Sequence, residues 1–128
     1  MIVGVPKEIK SSESRVAITP EGVSELVHSG HFVLIQDQAG VGSSISNEDF
    51  IDAGAKVSST SDEIWSKAEL VIKVKEPLEV EYPKMRIGQT LFTYLHLAAS
   101  KSCTDAIVKS GTTAIAYETV ESNGVLPL

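Results

Sequence analysis

Short runs of β-branched and apolar residues alternate with capped, amphipathic segments along the whole chain, and that alternation limits the fold more than any other feature. "IVGV" (2–5) and "FVLIQ" (32–36) are apolar throughout, as expected of strands covered on both faces. Between them, "TPEGVSELVHSG" (19–30) offers Thr19 as N-cap, Pro20 in the first helical position, Val23, Leu26 and Val27 along one face, and Gly30 as the stop. This is one βαβ unit.

The pattern recurs. "SNEDFIDAGA" (46–55) opens on a capping box of Ser46 and Asp49, and "TSDEIWSKA" (60–68) on another, Thr60 with Glu63. A weak strand at 56–58 separates them. "ELVIKVK" (69–75) reads as a strand, followed by a proline-bearing connection from Glu76 to Gln89, the strand "TLFTYLH" (90–96), the helix "SCTDAIVKSG" (102–111) and the strand "TAIAYE" (113–118). The spacing predicts an α/β fold: a mostly parallel sheet with helices on both faces and right-handed crossovers, Rossmann-like or flavodoxin-like.

At 128 residues the chain is sized for one domain. Seventeen acidic against eleven basic residues leave a net charge of −6, with no block of Lys and Arg, which argues against a nucleic-acid partner. No apolar run approaches the 18 or so residues that span a bilayer, and "MIVGVPKEIK" lacks the core of a signal peptide, so no membrane role and a cytoplasmic location are expected. The single cysteine, Cys103, has no internal partner and is assigned to packing, as are Ile64 and Trp65. His28 and His31 straddle the helix-ending Gly30 without a third ligand, so no metal site is expected. "AGVGSS" (39–44) has G-x-G but no third glycine at the fingerprint position; it reads as a tight loop lining the cleft through backbone N–H groups.

Open parallel sheets bind ligands beyond the carboxyl ends of their strands. Arg15 lies in the loop after the first strand; Lys75, Tyr94, His96 and Glu118 fall at later strand ends. An Arg fork and a Lys point charge suit a small carboxylate, and the lysine can polarise a carbonyl. Histidine, with an unperturbed pKa of about 6.5, exchanges protons near neutrality. Tyr94 would donate a hydrogen bond or shape the wall. Each residue also has a plainer reading: Arg15 as a solvated loop residue, Lys73 and Lys75 as a solvated strand end of shared parity, His96 as a core histidine, Glu118 as the cap of a neighbouring loop or the partner of a lysine.

The segments "VGVPKEIK", "ESRVAITPEGV", "AGVGSS", "ELVIKVKEP", "LFTYLHLA" and "AIAYETV" run in order from residue 3 to near the end of the chain. Through them the sequence resembles the N-terminal part of alanine dehydrogenases, a family shared with the corresponding region of the proton-translocating transhydrogenase. "TYLHLA" favours the dehydrogenase branch. The resemblance implies NAD-dependent, reversible oxidative deamination of L-alanine to pyruvate and ammonia. Arg15 and Lys75 would hold the carboxylate and carbonyl end of the substrate, His96 would donate and accept the proton, Tyr94 would border the substrate, and Glu118 would lie near the cleft. It also implies a homo-oligomer for the intact family.

Residues 1–128 would then be a truncated N-terminal substrate-binding domain. The NAD-binding domain, the aspartate that completes the family's catalytic set and the segment that finishes the substrate domain are missing from it. Ser44, Ile45 and a shortened turn at "ESNGV" also depart from the family pattern. Without a cofactor domain the chain alone is expected not to catalyse hydride transfer. The alternative is a non-catalytic module that binds a small carboxylate or only folds.

Overall fold

The computed structural model describes all 128 residues. Six strands, β1 (Ile2–Val5), β2 (Phe32–Gln36), β3 (Lys56–Ser58), β4 (Leu70–Ile72), β5 (Thr90–Thr93) and β6 (Thr113–Ala116), form one parallel sheet in the order β3-β2-β1-β4-β5-β6. That is the strand order of the Rossmann arrangement, which decides between the two topologies left open by the sequence. The order reverses between β1 and β4, so the connections leaving these two strands diverge and open a crevice at their carboxyl ends.

Side-chain alternation on the strands sorts the helices. Val3 and Val5, Val33 and Ile35, and Leu70 and Ile72 point to the face covered by α1 (Pro20–His28) and α2 (Asn47–Asp52), where Val23 and Phe50 complete a core. Val71 and Leu91 point to the opposite face, covered by α3 (Ser61–Lys67) and α4 (Lys101–Ser110), where Trp65, Cys103 and Ile107 pack. Gly4 on β1 lies under α3: a Cβ there would sit 2.6 Å from the Ala68 Cβ and 2.8 Å from the Ile64 Cγ2. Only glycine lets this helix approach the central strand so closely.

The caps follow the sequence, with one exception. Thr19 accepts from the Gly22 N–H, and Ser46 and Asp49 form a reciprocal capping box. Thr60 accepts from the Glu63 N–H, but the Glu63 carboxylate does not return to the cap: it takes the Ser58 hydroxyl and the Lys67 ammonium. A hydroxyl and a cation within reach outcompete one more backbone donor.

The last three strands are shorter than their apolar runs. β4 ends at Ile72, β5 at Thr93 and β6 at Ala116. Single bonds from Lys73 N–H to the Phe92 carbonyl and from Tyr94 N–H to the Val74 carbonyl extend the β4–β5 pairing a little further. Short 3-10 turns follow at Leu97–Ala99 and Tyr117–Thr119. No helix is long and apolar enough to cross a membrane.

Candidate functional site

A cavity of about 480 Å³ opens at the carboxyl edge of the sheet, lined by Arg15, Val16, Val74, Phe92, Tyr94 and Tyr117 among others. Its walls come from the loop after β1 and from the ends of β4, β5 and β6, the crevice that the strand order creates. A polar recess of about 250 Å³ adjoins it, bordered by Lys7, Glu8, Glu13, Ser14 and Arg15.

Arg15 stands between the two, its side chain 58% exposed. Glu13, only 7% exposed, holds it in a fork: Nε donates to Oε1 at 2.8 Å and one terminal nitrogen donates to Oε2 at 2.6 Å, while the Arg15 backbone N–H also donates to Oε1 at 2.9 Å. Arg15 is therefore not a freely solvated loop residue. The fork occupies the side edge of the guanidinium and leaves the Nη1–Nη2 end edge for a ligand. Hydrogen bonds from Arg15, helped by the charge of Lys75, hold the Glu13 carboxyl down at about 2. The glycine loop props this segment from behind. A Cβ on Gly42 would lie 2.4 Å from the Ser14 carbonyl oxygen, and the Ser43 hydroxyl donates to that oxygen at 3.3 Å. Ser43 and Ile45 reach the cavity wall.

Lys75 is half-buried in the connection after β4, beyond the strand whose end the sequence assigned to it. Lys73 corrects the reading of both lysines as a solvated pair. Its side chain is 1% exposed, between Glu8 at 3.3 Å and Glu81 at 3.1 Å. Shared parity fails because the chain leaves the strand at Ile72, so alternation no longer governs which way the two lysines point. Glu8 also accepts from the Val74 N–H at 2.7 Å, and Glu81 from the Leu78 N–H at 3.0 Å. The triad pins the loop after β1, the loop after β4 and the 78–82 segment together. Burial raises the Glu8 carboxyl above its ordinary value despite the ammonium beside it.

Tyr94 and His96 do lie on one side of their segment, with rings stacked 12° from parallel at a centroid distance of 6.1 Å. His96 is exposed and lies outside the core, and Tyr94 lines the cavity. The segment is no longer a strand at this point: His96 has φ 47° and ψ 42°, the left-handed region. A non-glycine residue there is costly unless its surroundings hold it. Glu118 does so, accepting from the His96 N–H at 2.7 Å and from the Leu95 N–H at 3.1 Å. Burial opposes ionisation of Glu118, yet these donors outweigh it and bring the carboxyl below its ordinary value. The capping reading of Glu118 is thus the one the geometry follows; its carboxylate turns into the loop backbone rather than lining the cavity.

Tyr117 is a wall residue that sequence reasoning overlooked. Its ring meets Phe92 edge-on at 4.3 Å and Tyr94 edge-on at 5.0 Å, and burial pushes its phenol well above the ordinary tyrosine range. Glu13 was likewise visible only as a neighbour of Arg15. The spacing of two that lets it reach back to the guanidinium was the available signal.

Arg15 and Tyr94 therefore line one cavity, whereas Lys75 and His96 are not among its lining residues; the Lys75 ammonium lowers the nearby Glu13 carboxyl and the His96 ring stacks on Tyr94. A forked cation, an ammonium, an imidazole and an aromatic wall can together receive a small anion and move a proton at its polar end. In the G-x-G loop, Gly42 packs against the Ser14 carbonyl, so the space beside that glycine is already filled.

The sequence profile described as "Alanine dehydrogenase/PNT, N-terminal domain" matches residues 4–128. The chain belongs to this family. The alanine dehydrogenase of Mycolicibacterium smegmatis is 64% identical over 129 residues, a match that takes in all of this chain and 35% of that protein. Among solved structures, an L-alanine dehydrogenase superposes with a TM-score of 0.95 at 51% identity, over 99% of this chain and 35% of the other. A transhydrogenase from Sinorhizobium meliloti superposes less closely, with a TM-score of 0.85 at 29% identity over 92% of this chain and 35% of the other. The alanine dehydrogenase branch is thus nearer than the transhydrogenase branch, in line with the "TYLHLA" segment. The chain spans about 35% of the length of the curated relatives it matches.

Proposed function

We propose that this chain is the substrate-holding part of an alanine dehydrogenase and that its ligand is pyruvate or L-alanine. What supports the reading most is Arg15: its side edge is locked by Glu13, which leaves the end edge unpaired, and the residue lines a cavity with Tyr94 and Tyr117. A three-carbon acid would place its carboxylate on that end edge, its carbonyl or amino carbon toward Lys75, and its methyl group against Tyr94 and Tyr117. Lys75 would polarise the carbonyl, and His96 would give or take the proton at the substrate heteroatom. The stack of the imidazole on Tyr94, which lines the cavity, supports this role.

NAD dependence comes with the family reading. When bound, the cofactor would supply hydride acceptance and return at the substrate carbon, and its binding would fall to other parts of the enzyme. Adding pyruvate to the 128-residue chain while recording amide spectra tests the binding half of the proposal. Saturable shifts at the Arg15 loop, Tyr94 and His96 are expected, weakened at least tenfold by Arg15→Ala. Identical responses from both proteins, or turnover in an NADH-linked assay by this chain alone, would refute the assignment.

A further inference from the structure

Arg15 borders both the cavity and the adjoining recess, and the carboxylate of Glu13 borders the recess beside it. Its oxygens sit 2.8 Å and 2.6 Å from the Arg15 nitrogens, and it also feels the ammonium of Lys75. Other charged groups lie nearby: Lys10 pairs with Glu76, Glu8 is held by Lys73 and the Val74 N–H, and Lys7 borders the same recess as Glu13. The Glu13 carboxylate thus offsets the charge of Arg15 where the ligand's anionic end would rest.

We infer that Glu13 is a specificity-determining residue, one that sets the site's charge to match a monocarboxylate and disfavours small dicarboxylates. The inference builds on the carboxylate-site reading proposed for Arg15. Glu13 orients Arg15 from the side edge without occupying the end edge, and its hydrogen bonds to Arg15 favour the ionised carboxylate. A second carboxylate on the ligand would meet Glu13 as a like charge beside the fork. Discrimination of this kind works through repulsion of the wrong ligand as much as attraction of the right one.

The charge effect separates from the orienting effect by a ratio. Loosening Arg15 weakens a monoanion and a dianion alike, whereas deleting one negative charge favours the monoanion once and the dianion twice. Propionate and malonate have the same number of carbons and differ by one charge near neutral pH, so their relative affinities for the 128-residue chain isolate the second effect. At low ionic strength, where screening is weak, Glu13→Gln is expected to raise the malonate-to-propionate affinity ratio by about threefold or more. Glu13→Ala should raise it similarly even if glutamine disturbs the loop, and Glu13→Asp, which keeps the charge, should leave it near the unsubstituted value.

An unchanged ratio in both neutral variants would overturn the inference while leaving the carboxylate site standing. A shifted ratio in a protein that ignores pyruvate would uphold Glu13 and remove the alanine dehydrogenase reading. Absence of binding by any of the three acids, in any variant, would overturn both.

Discussion

His96 adopts a backbone shape that a histidine reaches only with help, and the help comes from one carboxylate 22 residues later. Removing it should therefore cost more than an exposed glutamate ordinarily does. Glu118→Ala is expected to lower stability by about 1–2 kcal/mol, and Glu118→Gln, which keeps a neutral acceptor, by less. The pH dependence follows from the depressed carboxyl. Its contribution is fully present above the ordinary carboxylate range and disappears as the pH falls through the lower folded-state value. The stability gap between the parent protein and Glu118→Ala should then be flat from neutrality down to about pH 5 and narrow below it. Urea unfolding at a series of pH values measures this, and a gap that widened in acid would contradict the assigned role. The sequence showed the type of each candidate residue but not its backbone shape, because left-handed geometry at His96 arises from a contact with a different strand's exit.

At the scale of elements, the helices were legible from their caps and faces, and five of the six strands from their apolar runs, with β3 only a weak strand between two helices. The strand ends were not. Val74 and Leu95 are buried and apolar, so their runs look like continued strand, yet they pack under the crevice in the connections that follow β4 and β5. The glycine loop was read as a lining of the cleft, and Ser43 and Ile45 do reach the wall. Its more specific task, bracing the Arg15 segment through Gly42, depends on a close approach between the connections after β1 and β2. Gly42→Ala is expected to push the Ser14 carbonyl away, destabilise the chain by about 1 kcal/mol and weaken pyruvate binding several-fold. Thermal unfolding beside a pyruvate titration checks it. Full affinity in that variant would show that the brace is dispensable.

Across the whole molecule, one buried charge cluster joins what the sheet topology brings close. Lys73 lies between Glu8 and Glu81, so Lys73→Met would leave two buried carboxylates facing a thioether, at an expected cost of about 3–5 kcal/mol. Without the cation the Glu8 carboxyl, already raised by burial, would lose the group that lowers it and titrate higher still when folded. The penalty should therefore grow as the pH rises from the ordinary carboxylate range and shrink on acidification, as denaturant unfolding at pH 5 and pH 8 would show. The local order of residues was enough to determine the class of fold, the helix boundaries to within a few positions and the candidate residues, since caps, periodicity and residue chemistry act over one or two turns of chain. Only the tertiary structure decided that β1 and β4 lie side by side, that one lysine of "KVK" is buried while the other is half-buried, and that Glu13 and Glu118 are devoted to Arg15 and His96. Those outcomes depend on groups that meet across strand exits after the chain has folded, and their pairing is set by distance and burial rather than by position along the sequence.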